Sequence, residues 1–151
     1  MKSTTTLLLM TFVFAGCISS RQYYTDEKVI GPYTPAVKAG NLLYLSGQIA
    51  MKPGTTELAG DDIEVQVRQV MENIKTVLAR GGATMNDVVQ CTVYLRDMKD
   101  YAKMNQIYGS YFAAGRAPTR TAVEVSNLPR NAKVEITAVA YIGRRYQTTA
   151  E

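Results

Sequence analysis

Histidine and tryptophan are missing from all 151 residues, and cysteine occurs only twice. Without an imidazole, Ser-His-Asp and Cys-His catalysis, histidine proton shuttling and histidine-ligated metals are excluded together. Two cysteines cannot supply a thiolate zinc site. Neither Gly-x-Gly-x-x-Gly nor Gly-x-x-x-x-Gly-Lys-Ser/Thr occurs, so the phosphate cradles of dinucleotide and P-loop chemistry are lacking. No cofactor and no metal is expected. Charge of one sign is also scarce: 17 basic residues face 13 acidic ones, for a net +4. The positive residues are scattered, without a basic stripe interleaved with aromatics, so no nucleic-acid partner is expected. Any catalysis has to rest on Arg, carboxylates, Tyr, Ser and backbone groups.

What is present begins with a leader. Lys2 forms a short positive region, residues 7–15 are uncharged and dominated by large apolar side chains, and Phe14-Ala15-Gly16-Cys17 puts small residues before a cysteine. An apolar run of about ten residues is half the length a helix needs to span a bilayer. It reads as a cleavable signal peptide over residues 1–16. The small-small-Cys ending resembles a bacterial lipobox, which makes Cys17 the acylated residue and the membrane a partner through the lipid anchor alone. Residues 17–28 then form a polar tether, 29–142 one domain and 143–151 a polar tail. The expected location is periplasmic and lipid-anchored, or cytoplasmic if the signal does not function. Cys91 is left as the only thiol, inside the strand pattern of residues 88–95, where a buried and inert state is expected.

Alternating apolar residues from Asn41 to Ile49 predict a strand, preceded by a strand end and a tight turn at residues 37–41. Asp61 and Glu64 have capping-box spacing. They precede a stripe of Ile63, Val67, Val70, Met71, Ile74, Val77 and Leu78, which places one apolar face on a helix ended by Gly81-Gly82. A strand over 89–95, a helix over 100–112 and strands over 121–125 and 133–142 complete the order. Two amphipathic helices cover one face of such a sheet. In the last strand, Val134, Ile136, Ala138 and Ala140 alternate with a mixed set, as expected of a face packed against another subunit.

Four segments together resemble the RidA/YjgF family: residues 30–36 (IGPYTPA), residues 45–49 (LSGQI), residues 117–125 (APTRTAVEV) with Leu128-Pro129, and residues 133–136 (KVEI). They cover about residues 29 to 142 in the family's order. The resemblance implies an α+β, chorismate-mutase-like mixed sheet with two helices on one face, assembled as a homotrimer with sites between subunits. It implies hydrolytic deamination of carboxylate-bearing imines and enamines of the 2-aminoacrylate type to 2-keto acids and ammonia, with no cofactor. Arg120 is implied to bind the substrate carboxylate; a planar guanidinium can do so with two parallel hydrogen bonds. Glu135 is implied to activate the hydrolytic water, and Tyr33 to line the pocket with its hydroxyl on the water or amino group. Ser46, Gly47, Asn105 and Ala122 complete the expected substrate-binding set.

The chain departs from the family in two ways. Ala122 stands where many members carry cysteine, so a role for that thiol is lost while one for the backbone carbonyl survives. The stretch 113–119 is short. The rival to a deaminase is a non-catalytic trimeric protein that binds small carboxylates at the envelope. RNA cleavage, a third reading, is disfavoured by the lack of histidine.

Overall fold

The computed structural model describes residues 21–25, 29 and 31–143. The leader, Cys17 and all of the tail beyond Gly143 lie outside them. Six strands form one mixed sheet: β1 (Arg21–Tyr24), β2 (Ala36–Ala39), β3 (Leu42–Ile49), β4 (Val88–Leu95), β5 (Thr119–Glu124) and β6 (Val134–Tyr141). Their order is β1-β2-β3-β6-β4-β5. Only β4 and β5 run parallel, and parallel neighbours need a crossover. It is supplied by helix α2 (Tyr101–Gly109). The other helix, α1 (Ile63–Arg80), joins β3 to β4.

The expected α+β architecture is therefore present, with one strand more than the sequence suggested. The segment assigned to a polar tether over 17–28 contains β1, which pairs antiparallel with β2 from Arg21↔Ala39 to Tyr24↔Ala36. Its side chains are mostly exposed, so no apolar alternation announces it; backbone pairing to β2 holds it in the sheet.

Helix α1 begins one residue later than the Asp61–Glu64 spacing implies. Asp62 is the cap, its Oδ1 accepting from the backbone N–H groups of Glu64 at 2.8 Å and Val65 at 3.2 Å. Ile63 is buried and sets the phase of the helix, so the residue just before it takes the capping position. The helix stops where Gly82 adopts φ +74. Its N–H donates to Ala79 O, and that of Ala83 to Leu78 O, the pairing of a Schellman end. Helix α2 is shorter than residues 100–112. Ser110 Oγ donates back to Ile107 O at 2.7 Å, and the chain turns while Tyr111 and Phe112 still pack on the core.

All seven apolar stripe residues of α1 join Met104, Ile107 and Tyr108 of α2 and alternate residues of β3, β4 and β6 in one core. Each fully buried aliphatic side chain contributes about 1.5–3 kcal/mol. A polar exception is Gln66, whose Nε2 donates to Gly60 O and whose Oε1 accepts from Lys133 N, tying the start of α1 to the start of β6. The opposite sheet face carries Glu135, Thr137, Val139 and Tyr141 from β6 and Tyr44 from β3. Tyr44 and Tyr141 are each 46 % exposed.

Candidate active site

The site begins at a break in strand pairing. Leu45 pairs with Ala138 and Gln48 with Ile136, so Ser46 and Gly47 together face one residue of β6. Such a bulge bends the strand and re-aims its side chains. On its other side, β3 loses β2 beyond Ala36↔Leu45. The departing chain is held by Ser46, whose N–H donates to Pro35 O at 3.0 Å and whose Oγ donates to Thr34 O at 2.6 Å. Tyr33 stands beyond this tie, 43 % exposed, with its N–H turned back to Gly31 O at 2.9 Å.

Gly47 is needed for the neighbour it faces. A Cβ at this position would collide with the Glu135 carboxylate. Glu135 lies on the sheet face opposite the buried Val134 and Ile136, in register with Tyr94 on β4 and Ile49 on β3. Burial raises its pKa, because a half-desolvated carboxylate is less easily ionised. No described side chain pairs with it. A cavity of about 340 Å³ is lined by Tyr33, Ser46, Gly47, Ile49, Pro129 and Glu135, among others.

A second cavity of about 390 Å³ shares Tyr33, Gln48 and Met51 with the first and runs between α1 and the loop after β3. Its polar groups are largely occupied: Asn73 Nδ2 donates to Ile49 O and Met51 O, and Lys52 pairs with Glu57. The smaller cavity holds the acid left unpaired among the described residues and is the candidate site.

Arg120 is elsewhere. It lies within β5 rather than in a loop, in register with buried Cys91, and so projects on the helix-covered face. Its guanidinium carbon is 4.9 Å from the Tyr108 ring centroid and 5.7 Å from that of Tyr101, and Nη2 donates to Tyr101 Oη at 3.2 Å. Asn105, on the same helix, has a buried Oδ1 without a partner among the described residues. Ala122 is in register with Val93 and packs against the core. The Cys91 thiol is buried and its pKa is raised by desolvation, as expected of an inert cysteine.

The expected residues thus divide into two groups. Tyr33, Ser46, Gly47 and Glu135 converge. Arg120, Asn105 and Ala122 form a second group on the other face, with β4 between β5 and β6. Within one chain a small ligand cannot touch both Arg120 and Glu135. Ile49, Pro129, Tyr101 and Tyr108 were not singled out as site residues in the sequence. The two tyrosines fall within the helix predicted over 100–112, but only the structure sets Arg120 against them. Among the described residues, no trio of Cys, Asp or Glu side chains converges to hold a metal.

The mixed sheet with its two helices is a fold shared with known proteins. Residues 25–142 match the family described as endoribonuclease L-PSP. A RutC family protein of Pyrococcus horikoshii is 53 % identical over 114 residues, which cover 76 % of this chain and 90 % of that protein. The chloroplastic Reactive Intermediate Deaminase A of Arabidopsis thaliana is 40 % identical over 111 residues, covering 74 % of this chain and 59 % of that one. Among solved structures, RidA from an Antarctic Psychrobacter superposes with a TM-score of 0.72 at 39 % identity, covering 76 % of this chain and 92 % of that chain. Escherichia coli TdcF with bound serine gives 0.71 at 36 %, covering 76 % and 91 %. The chain belongs to the RidA/YjgF family.

Proposed function

We propose that this protein is a homotrimeric imine/enamine deaminase whose sites are completed between subunits. The observation that carries this reading is the separation of Arg120 from Glu135 on opposite faces of one sheet. Each is prepared for a ligand: Arg120 is backed by two rings, and Glu135 is half-buried without a described partner. A second subunit packed on the open face brings the two groups to one cleft. The tyrosine-rich composition of that face suits such packing.

In the cleft, Arg120 holds the substrate carboxylate and thereby fixes the imine carbon over Glu135. A water beside Glu135 adds to that carbon while the carboxylate accepts its proton. Glu135 passes that proton to the imine nitrogen, giving a carbinolamine; transfer of the hydroxyl proton to the nitrogen through Glu135 then expels ammonia and leaves the keto oxygen, so imine and water give 2-keto acid and ammonia. Tyr33 is placed to hold the water or amino group. Asn105 is the further substrate-binding residue that the family resemblance implies, with its Oδ1 buried and unpartnered among the described residues, and Ser46 and Gly47 shape the wall. Ala122 supplies no thiol, which leaves Glu135 as the base. A bound serine in TdcF presents the same carboxylate and amino head that this arrangement fits. The deciding experiment is ammonia release from 2-aminoacrylate generated in situ. Saturable binding of 2-keto acids with no ammonia release would instead identify a binding protein. We further propose attachment of the trimer to the periplasmic face of a membrane through Cys17, a reading supported by the lipobox-like leader.

A further inference from the structure

We propose that Tyr101 is a positioning residue that fixes Arg120 without spending its charge. The inference rests on the reading that Arg120 receives the substrate carboxylate. An arginine at a sheet edge has many rotamers, and ordering it when a ligand arrives costs affinity. A carboxylate partner would order it in advance, but that partner would compete with the ligand for the same N–H groups. Among the described residues, no acid pairs with Arg120. Instead, buried Tyr108 forms a floor beneath the guanidinium, and Tyr101, 37 % exposed, forms an outer wall. The π faces of both rings attract the cation and leave its formal charge intact.

The hydroxyl of Tyr101 adds direction. By accepting one N–H from Nη2 at 3.2 Å, it sets the rotation of the guanidinium plane on the rings. Of the five N–H groups of arginine one is committed. The remaining four still contain one parallel pair suited to a carboxylate. Asn105 lies one turn along the same helix face, its Oδ1 buried and without a partner among the described residues. Phenylalanine at residue 101 would keep the wall and lose the direction; glutamate would keep an acceptor and cancel the charge.

The test measures 2-oxobutyrate binding, ammonia release from 2-iminobutyrate, and rotation about the Arg120 Cζ–Nη bonds by NMR, all in the assembled protein. For Tyr101→Phe, the dissociation constant and KM should each rise about 3- to 10-fold, the range expected when one long side chain has to be ordered on binding. The turnover number should stay within about twofold, since bound substrate itself orders the arginine. The Arg120 Nη rotation should become faster. Tyr101→Glu should bind more weakly than Tyr101→Phe despite its acceptor. Wild-type affinity and unchanged Arg120 rotation in Tyr101→Phe would overturn the inference while leaving the deaminase reading intact, provided Arg120→Ala still abolishes binding. If the wild type releases no ammonia but binds 2-oxobutyrate, and Tyr101→Phe weakens that binding, the inference stands and the deaminase reading falls. If Arg120→Ala binds as tightly as the wild type, both fall.

Discussion

A side chain on Gly47 would strike the Glu135 carboxylate. The bulge in β3 and the acid on β6 therefore form one unit. Gly47→Ala forces Glu135 aside or spreads the two strands. A misplacement near 1 Å in a catalytic group costs about 10²-fold in rate, and overpacking costs about 1–3 kcal/mol of stability. Steady-state kinetics with thermal unfolding should show kcat/KM falling by about two orders of magnitude. Ala at residue 47 with wild-type kinetics would show that Glu135 has no fixed position to defend.

Burial raises the Glu135 pKa, and this has opposite consequences for activity and stability. The ionised form is the base, so activity should fall as pH drops through a value above the ordinary carboxylate range. Folding favours the protonated form, so the stability associated with this group is full below its unfolded pKa and is lost as pH rises through the raised folded value. Glu135→Gln removes both the base and the burial penalty. The variant should lose about 10²- to 10⁴-fold in kcat, with little change in KM. It should also unfold at an equal or higher temperature than the wild type at neutral pH. A kcat unchanged by the substitution removes Glu135 as the base.

Most of the sheet was legible because its inner face is uniform. Val134, Ile136, Ala138 and Ala140 alternate without exception and are all buried, and the α1 stripe has no interruption. β1 was not legible, because Arg21, Gln22 and Tyr23 are exposed and pairing leaves no apolar trace at an exposed edge. The cap moved from Asp61 to Asp62 because two adjacent aspartates offer the same chemistry and only burial of Ile63 chooses between them. Residue types for the site were carried by the motifs, but their division between two sheet faces depends on strand order, to which spacing is blind. Nothing in the 117–125 motif tells which face Arg120 takes; the parallel register with β4 decides it.

Cys17 lies outside the described residues, and its acylation can be measured directly. In a bacterial host the protein should take up radioactive palmitate and sediment with membranes, and Cys17→Ser should lose both properties, since serine offers no thiol for transfer of the lipid. Several acyl chains at about 0.8 kcal/mol per buried CH₂ suffice for stable attachment. A soluble form should retain Arg21 onwards. A cut at residue 29 would remove β1 and expose the β2 edge, with loss of stability or onset of aggregation. An unlabelled cytosolic protein still beginning at Met1 would dispose of the anchor.

Because Arg120 and Glu135 occupy opposite faces of one sheet, their defects should complement in trans. Arg120→Ala alone should abolish activity, as should Glu135→Gln, with the trimer still folded in each. Arg120→Lys should fare nearly as badly as Ala, because an ammonium cannot form the two parallel bonds. If the two inactive proteins are unfolded, mixed in equal amounts and refolded together, a cleft draws its arginine from one subunit and its acid from another. Random assembly then gives about a quarter of the clefts both native groups, and recovered activity should approach that fraction of wild type in a closed symmetric oligomer. A site contained within one chain would recover nothing, because each subunit carries one lesion. Mixed trimers that form, as judged by mass, yet stay inactive would exclude the shared cleft and with it the proposed pairing of Arg120 and Glu135.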